Sequence, residues 1–187
     1  MSAVGTLFEV EAAYCIDTNV VVSFLSETDD EFYGADIFRD QWHLIEERIE
    51  TGEIVAPREV EVELKRHAKK RAKIGPWLSA RRDMFRDIDT AQLELAKRLV
   101  NRYPAYGRDN NYLGDLTVIS LAGARGLAVI SLEQPVLHPG QKRPKIPNVC
   151  AEFGITHLSV SGFLRRILGA PPLAASARAD QQPTCPP

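Results

Sequence analysis

Apolar positions along the chain fall into two alternating patterns. Short, mostly apolar runs are typical of strands buried in a parallel sheet, and such runs occupy residues 14–16, 54–56 and 127–132, with a further strand predicted around residues 156–158. Between these runs, apolar residues recur at steps of three and four, the spacing of one helix face, as they do at Phe38, Trp42, Ile45 and Ile49. Strands that alternate with helices predict an α/β fold with a central, mostly parallel sheet and helices on both faces.

The segment between the second and third apolar runs is predicted to be mostly helical. Val60 and Leu64 lie on one face of a first helix. Gly75 and Pro76 are expected to break the chain after it. A loop is expected over residues 103–112, which contain a proline, a glycine and two asparagines. Further helices are predicted over residues 77–88, 93–100, 113–124, 149–153 and 161–168.

Length and composition indicate one globular domain. The chain has 187 residues, of which 44% are hydrophobic and 26% charged, values typical of a single folded unit that needs no disulfide. The domain is predicted over residues 14–169, after an N-terminal extension of residues 1–13. Residues 170–187 hold five of the twelve prolines and few large apolar side chains, which predicts a disordered Pro/Ala-rich tail.

Charge and cysteine content narrow the cellular setting. The 23 basic and 25 acidic residues give a net charge of −2, so nucleic-acid binding has to depend on local clusters. Three widely spaced cysteines suit a reducing compartment. Residues 1–13 lack the basic start of a secretory signal, and the most apolar stretch, residues 116–132, is too short and too interrupted for a membrane span. We expect a soluble, cytoplasmic protein.

Two acidic residues directly follow predicted strands. Asp17 comes after the run at 14–16, and Glu133 comes after the run at 127–132. The carboxyl ends of parallel strands are where functional groups gather in α/β folds. Asp17 also precedes a predicted helix, so helix capping is an alternative role for it. An ordinary solvent-facing position is the alternative for Glu133.

Two further candidate acids lie on predicted helices. Asp115 is on the apolar face that also carries Ile119, and a carboxylate on a buried face is costly unless it is paired or bound to a cation. Glu59 and Glu63 lie one helical turn apart on the same side of an amphipathic helix. Their spacing favours neither of them, and a solvated acidic face is the alternative for both.

Acids gathered at the mouth of a parallel sheet would form a cluster of like charge that needs a cation. Ligand sets made only of oxygen favour Mg²⁺ or Mn²⁺, and such ions activate water and stabilise the leaving oxygen in phosphodiester hydrolysis. Other catalytic chemistry is not indicated, because the sequence contains no phosphate-binding glycine motif, no nucleophile elbow and no histidines at metal-ligand spacing.

Four segments of the chain resemble a PIN-like family of prokaryotic proteins related to the VapC-type ribonuclease toxins. The matching segments are YCIDTNV at 14–20, EVEVEL at 59–64, GDLTVISLAGARGLAVISLE at 114–133 and KIPNVCAEFGI at 145–155. The resemblance spans residues 14–168 and implies a PIN-like three-layer α/β/α fold. It also implies a Mg²⁺- or Mn²⁺-dependent endoribonuclease, often the toxin of a toxin–antitoxin pair. RNA and an antitoxin are therefore the expected partners, and a homodimer is allowed.

The resemblance assigns a role to each acid. Asp17, Glu63 and Asp115 match the first three metal ligands of the family, which selects between the two glutamates of the second segment. Glu133 falls at the position of the fourth ligand, where the family more generally has an aspartate. Asn19 would then orient Asp17 from outside the ligand set.

A run of basic residues follows the second acidic segment directly. It consists of Lys65, Arg66, Lys69, Lys70, Arg71 and Lys73. A solvated helix face is one interpretation. Beside a carboxylate metal site, a track for the RNA backbone is the other. This track is expected to extend to Arg81, Arg82, Lys142, Arg143 and Lys145.

Two other functions compete with the ribonuclease. The first is a PIN-like module that binds RNA or a partner protein without cleavage, which Glu133 in place of an aspartate would favour. The second is a phosphotransfer enzyme of the haloacid dehalogenase kind, with Asp17 as its nucleophile. That chemistry normally requires a second aspartate two residues later, where this chain has Asn19.

Overall fold

The computed structural model describes residues 11–28, 32–108, 110–137 and 145–170. Within these ranges, five parallel strands form one sheet in the order β3-β2-β1-β4-β5. The strands are β1 (Tyr14–Ile16), β2 (Ile54–Pro57), β3 (Phe85–Arg86), β4 (Ala128–Ser131) and β5 (His157–Ser159). Helices flank this sheet, so the predicted three-layer α/β/α architecture is confirmed.

Helices connect each strand to the next. They are α1 (Thr18–Phe24), α2 (Arg39–Glu50), α3 (Arg58–Ala68), α4 (Ile74–Ala80), α5 (Thr90–Arg102), α6 (Ala105–Arg108), α7 (Leu113–Arg125), α8 (Ile146–Glu152) and α9 (Val160–Ile167). Crossovers between parallel strands are generally right-handed, a rule that assigns α1 and α2 to one face of the sheet and α7 to the other. No helix in the described part of the chain is long and apolar enough to cross a membrane.

The strand order reverses direction at the centre of the sheet. From β1 the chain continues to β2 and β3 on one side, and it returns to β4 and β5 on the other. Such a reversal opens a crevice at the carboxyl ends of the two strands that flank it. We call this side the carboxyl edge; β1 ends there at Ile16 and β4 at Ser131. The pairing of Ile16 with Ile130 brings Asp17 and the end of β4 together.

The sheet and its covering helices share one apolar core. Cys15, Ile16 and Val129 are buried within the sheet, and Ile119 of α7 is buried against it. Helix α7 is apolar on most of its surface because it is packed between the sheet and α5. It ends at Gly126, whose φ of 68° is a left-handed conformation that glycine adopts without steric cost.

Most predicted elements are present, but two predictions around residue 80 are wrong. Gly75 and Pro76 do not break the chain, because they lie in the first turn of α4. Proline is tolerated there, since the first backbone N–H groups of a helix have no intrahelical acceptor. Phe85 does not continue a helix either. It begins β3, where it pairs with Ala56 at the edge of the sheet.

Several predictions fall partly or wholly outside the described residues. The N-terminal extension and the Pro/Ala-rich tail do so apart from residues 11–13 and residue 170. Lys142 and Arg143 of the extended basic track also lie outside the described ranges. The expected loop over residues 103–112 contains the short helix α6 and a 3-10 turn at Asn110–Tyr112.

Candidate active site

Asp17 lies at the centre of the carboxyl edge. It follows β1 and occupies the N-cap position of α1, and its backbone N–H donates to the carbonyl of Ile130 at 3.0 Å. Its side chain is 2% exposed and makes no capping hydrogen bond. Within the described residues, its Oδ2 atom is buried and has no hydrogen-bond partner. One buried carboxylate oxygen of Asp17 is thus left without a donor.

Burial raises the pKa of the Asp17 carboxyl from 3.8 to about 7. The loss of hydration is the largest cause, and the negative charges of Glu63 and Glu133 add to it. The backbone N–H groups of Thr18 and Asn19 oppose the rise. A carboxyl in this position is held back from ionising at neutral pH because no positive charge compensates it.

Glu63 reaches the same place from the middle of α3. Its Oε2 atom accepts a hydrogen bond from the hydroxyl of Thr18 at 2.5 Å, directly beside Asp17. Its carboxylate also packs against the backbone of α7 at Gly114, where an added Cβ would lie 2.7 Å from both Cδ and Oε2 of Glu63. A Cβ at residue 114 would therefore displace the Glu63 carboxylate, and glycine leaves the space that this carboxylate occupies. Glu63, rather than Glu59, is thus the acid of α3 that faces Asp17.

Asp115 follows Gly114 in the first turn of α7 and is half-buried. The pKa of its carboxyl is raised from 3.8 to about 8. Burial is again the largest cause, followed by the charges of Asp17, Glu133 and Glu63, while Lys145 acts in the opposite direction. The four candidate acids of the sequence therefore come together at the carboxyl edge, although four different elements carry them.

Glu133 differs from the other three acids because both of its oxygens have donors. Lys145 Nζ donates to Oε1 and the backbone N–H of Ile146 donates to Oε2, each at 2.7 Å. The backbone N–H of Glu133 donates to Ser131 Oγ at 3.2 Å, and that hydroxyl lies 2.9 Å from Nε2 of His157. Glu133 thus ties the chain after β4 to the start of α8, with its negative charge balanced by Lys145.

The four acids supply the type of ligand that binds a divalent cation, but their side chains are not arranged around one position. Among the described residues, no three carboxylate, imidazole or thiol groups are already positioned to share one ion. The chemistry of the site nevertheless matches what Mg²⁺ and Mn²⁺ select, because the convergent ligands are carboxylate oxygens. The unpartnered Oδ2 of Asp17 and the raised pKa values of Asp17 and Asp115 are what a cation at this edge would relieve.

Two residues near the acids were not identified from the sequence. Thr18 orients Glu63, and its place in the Asp-Thr-Asn segment is the signal that would have found it. The Tyr106 hydroxyl is buried without a hydrogen-bond partner in the described structure, and burial and then Asp115 raise its pKa. No local pattern marks Tyr106, because only the fold of α6 places it beside α7. The side chain of Asn19 is exposed, and this residue acts on Asp17 through its backbone N–H.

The basic run is divided between several roles. Helix α3 ends at Ala68, so the run covers the last turn of a helix and the turns after it. Lys65 pairs with Glu61 at 2.6 Å, and Lys73 pairs with Glu27 at 3.3 Å. Arg66, Lys69 and Lys70 are exposed. A guanidinium nitrogen of Arg71 lies 3.1 Å from Nδ1 of His67.

Two residues of the extended basic track are held by acids. Arg81 is 14% exposed and pairs with Glu46 at 2.7 Å and Glu50 at 3.1 Å, which fastens α4 to α2. Lys145 pairs with Glu133. These contacts give both residues structural roles at the positions they occupy.

An open groove of about 280 Å³ adjoins the acids. Its lining consists of Asn19, Val22, Phe32, His67, Arg71, Leu132 and Glu133. The lining of the groove therefore includes Glu133, one of the four acids, and Asn19, which lies two residues after Asp17. It places apolar, aromatic and basic groups directly beside the carboxylates.

Comparison with known proteins defines a family for the chain. No curated protein matches it. Residues 14–168 match the family described as Domain of unknown function (DUF4411), a span that begins with β1 and ends just after α9. This match covers the whole sheet and all of the acids described above, and the chain therefore belongs to the DUF4411 family.

Proposed function

We propose that this chain is a Mg²⁺- or Mn²⁺-dependent endoribonuclease of the PIN-like kind. Asp17, Glu63 and Asp115 hold the cation, and the cytoplasm is the proposed compartment. The observation that carries the proposal is the Asp17 carboxylate: it is buried at the central crevice of a parallel sheet, faces two other acids and has an oxygen without a donor. Such a group is costly to a fold unless a cation compensates it.

The surrounding residues are arranged to position these acids. The Thr18 hydroxyl restrains one oxygen of Glu63, and Gly114 leaves space for the rest of that carboxylate. The N-terminus of α7 carries Asp115, where the helix dipole favours a negative charge. A cation held by these groups would supply an activated water and a stabilised leaving oxygen.

The family resemblance in the sequence supports the same function. The first three acids assigned by the resemblance, Asp17, Glu63 and Asp115, lie in separate segments of the chain. They can hold one cation only if the fold brings these segments together. The hydrogen bond from Thr18 to Glu63 and the contact of Glu63 with Gly114 join the three segments at one place. This convergence is what a metal-dependent hydrolase requires and what a set of unrelated surface acids would lack.

A module that binds RNA without cleaving it is the second candidate. It is favoured by Glu133, whose oxygens are both occupied by Lys145 and Ile146. Glu133 would then not be a ligand, and Asp17, Glu63 and Asp115 would have to hold the cation without a fourth acid. Cleavage in the presence of metal separates the two functions.

The test is cleavage of a single-stranded RNA that carries a fluorophore and a quencher at its ends. The full chain should cleave it with Mn²⁺ or Mg²⁺ and should be inactive with a chelator. D17N, E63Q and D115N should each lose at least about 100-fold, because even residues outside a ligand set change metal-site activity by about 10–100-fold. E59Q is the matched control, since Glu59 lies on the same helix one turn away.

The outcome of E59Q is as informative as that of the ligand variants. E59Q should retain wild-type activity, and circular dichroism should show that all four variants are folded. A folded D115N protein with full activity would contradict the site, and a wild-type chain inactive with every divalent ion would favour the non-cleaving module. Pairing with an antitoxin and assembly as a homodimer stay predictions of the resemblance, to be tested by the neighbouring reading frame and by sedimentation.

A further inference from the structure

The groove beside the acids has an exposed aromatic wall. Phe32 is 78% exposed. The ring is therefore accessible to a planar ligand. Phe32 lines the 280 Å³ groove on one side and a second groove of about 340 Å³ on the other.

The backbone around Phe32 is held by its neighbours. Tyr33 stacks on Phe24 with ring centroids 4.9 Å apart, and its backbone N–H donates to Ser23 Oγ at 3.0 Å. The backbone N–H of Ala35 donates to the carbonyl of Phe24 at 2.8 Å. These contacts hold the backbone on the carboxyl-terminal side of Phe32, and the stacked rings among them are those of Phe24 and Tyr33.

The two grooves differ in the charge that surrounds the shared ring. The second groove is lined by Glu27 and Asp36, and its Lys73 is paired with Glu27. It therefore offers little to a phosphate. The first groove is lined by His67 and Arg71, which contact each other at 3.1 Å, and by Glu133, whose charge is balanced by Lys145. The first groove is therefore suited to a ligand that carries a planar ring and a phosphate group.

The size of the first groove limits what it can hold. At about 280 Å³ it is at the lower end of pockets that enclose small molecules, which are about 300–1,000 Å³. One planar ring fits such a space, whereas a base-paired duplex would not reach into it. Asn19 at its margin carries both a donor and an acceptor for the edge of a base.

We propose that this groove binds one unpaired nucleobase of an RNA substrate, stacked on Phe32, with Arg71 near the adjoining phosphate. The base then lies next to the phosphodiester at the carboxylates, which makes single-stranded RNA the substrate class. This inference rests on the proposed function. Stacking on an exposed aromatic ring is how proteins commonly bind single strands without a strict sequence requirement.

The test measures stacking directly rather than cleavage. A single-stranded RNA oligonucleotide containing 2-aminopurine is titrated with the full chain in buffer containing Ca²⁺, and the quenching of its fluorescence is followed. F32A should reduce the quenching and weaken binding about 5- to 150-fold, the range for loss of one base–aromatic stack. F32W should retain both. I37A is the matched control, because Ile37 is 76% exposed but lines only the second groove.

The outcomes separate the groove from the proposed function. F32A should be folded, since substitutions of exposed side chains change stability by less than about 0.5 kcal/mol, and its melting curve checks this. If the wild type cleaves RNA while F32A binds and quenches like the wild type, the base-stacking groove is refuted and the nuclease stands. If the wild type neither binds nor cleaves RNA with any divalent ion, the proposed function fails and the groove proposal fails with it.

Discussion

Asp17 makes opposite contributions to stability and to the proposed activity, and the D17N variant separates them. In the metal-free protein the buried carboxyl has a pKa of about 7, against 3.8 without burial. At about 1.4 kcal/mol for each pKa unit, ionising Asp17 in the fold costs up to about 4 kcal/mol. Asparagine has nearly the same shape and no charge. D17N should therefore be more stable than the wild type by about 1–4 kcal/mol at about pH 8 in chelator.

The sign of this effect follows from proton binding. Because the pKa of Asp17 is higher in the folded state, the folded protein binds more protons than the unfolded chain between pH 3.8 and about 7. The stability of the metal-free wild type should therefore fall as the pH rises through this window. The advantage of D17N should be largest above about pH 7 and should vanish near pH 4.

Metal should reverse the order of stability. A cation that binds only the folded wild type adds about 4.1 kcal/mol at 1,000 times its dissociation constant, which offsets the largest advantage expected for D17N. D17N should gain much less, because the buried ligand is missing. Urea unfolding of both proteins, with chelator and with Mn²⁺ at two pH values, measures all eight free energies of unfolding. E59Q serves as the control for removal of one carboxylate from α3 outside the site.

Two results would refute this reasoning. If D17N were less stable than the wild type in chelator at high pH, the Asp17 carboxylate would have a compensating partner in the metal-free fold. If the wild type and D17N gained equally from Mn²⁺, the ion would bind elsewhere. Either result would remove the observation on which the proposed function rests.

Three further predictions concern the neighbours of the acids. G114A should reduce cleavage more than about 10-fold, because its Cβ would lie 2.7 Å from the Glu63 carboxylate and would displace it. The double variant K69E/K70E should flatten the slope of log affinity against log salt by about 1.4, since each lost phosphate contact contributes about 0.7 on a single strand. E133Q should lose stability, because two donors lose a charged acceptor, yet it should keep more activity than D17N.

Each of these predictions has a matched comparison. For G114A it is G75A, since no atom lies within 4 Å of a Cβ added at Gly75. For the lysine pair it is K97E, an exposed lysine on α5, whose reversal should leave the salt slope unchanged. An E133Q protein as inactive as D17N, at full stability, would make Glu133 a fourth ligand rather than an anchor for α8.

The fold was largely predictable because most of its elements are marked by local patterns. The apolar runs at β1, β2 and β4 and the helical spacing in α2 and α5 depend only on neighbouring residues. Strand β3 has only two residues, too few to show a periodicity. Its existence depends on pairing with β2, and that pairing is visible only in the assembled sheet.

The site was predictable to the extent that strand ends mark it. Asp17 and Glu133 were candidates because each follows an apolar run, and parallel strands bring their carboxyl ends to one edge. Helical spacing left Glu59 and Glu63 equivalent. Contacts with residues 45 positions earlier and about 50 later, at Thr18 and Gly114, distinguish Glu63.

The sequence by itself determined which segments form strands and helices and which acids end near the sheet, because hydrophobic periodicity and strand ends are local properties. The tertiary structure decided which carboxylate is compensated and which is not. Glu133 obtains Lys145 and the start of α8, whereas Asp17 is left with a buried oxygen that accepts no hydrogen bond from the described residues. Those differences arise from burial and from contacts between distant segments, and both exist only after the chain has folded.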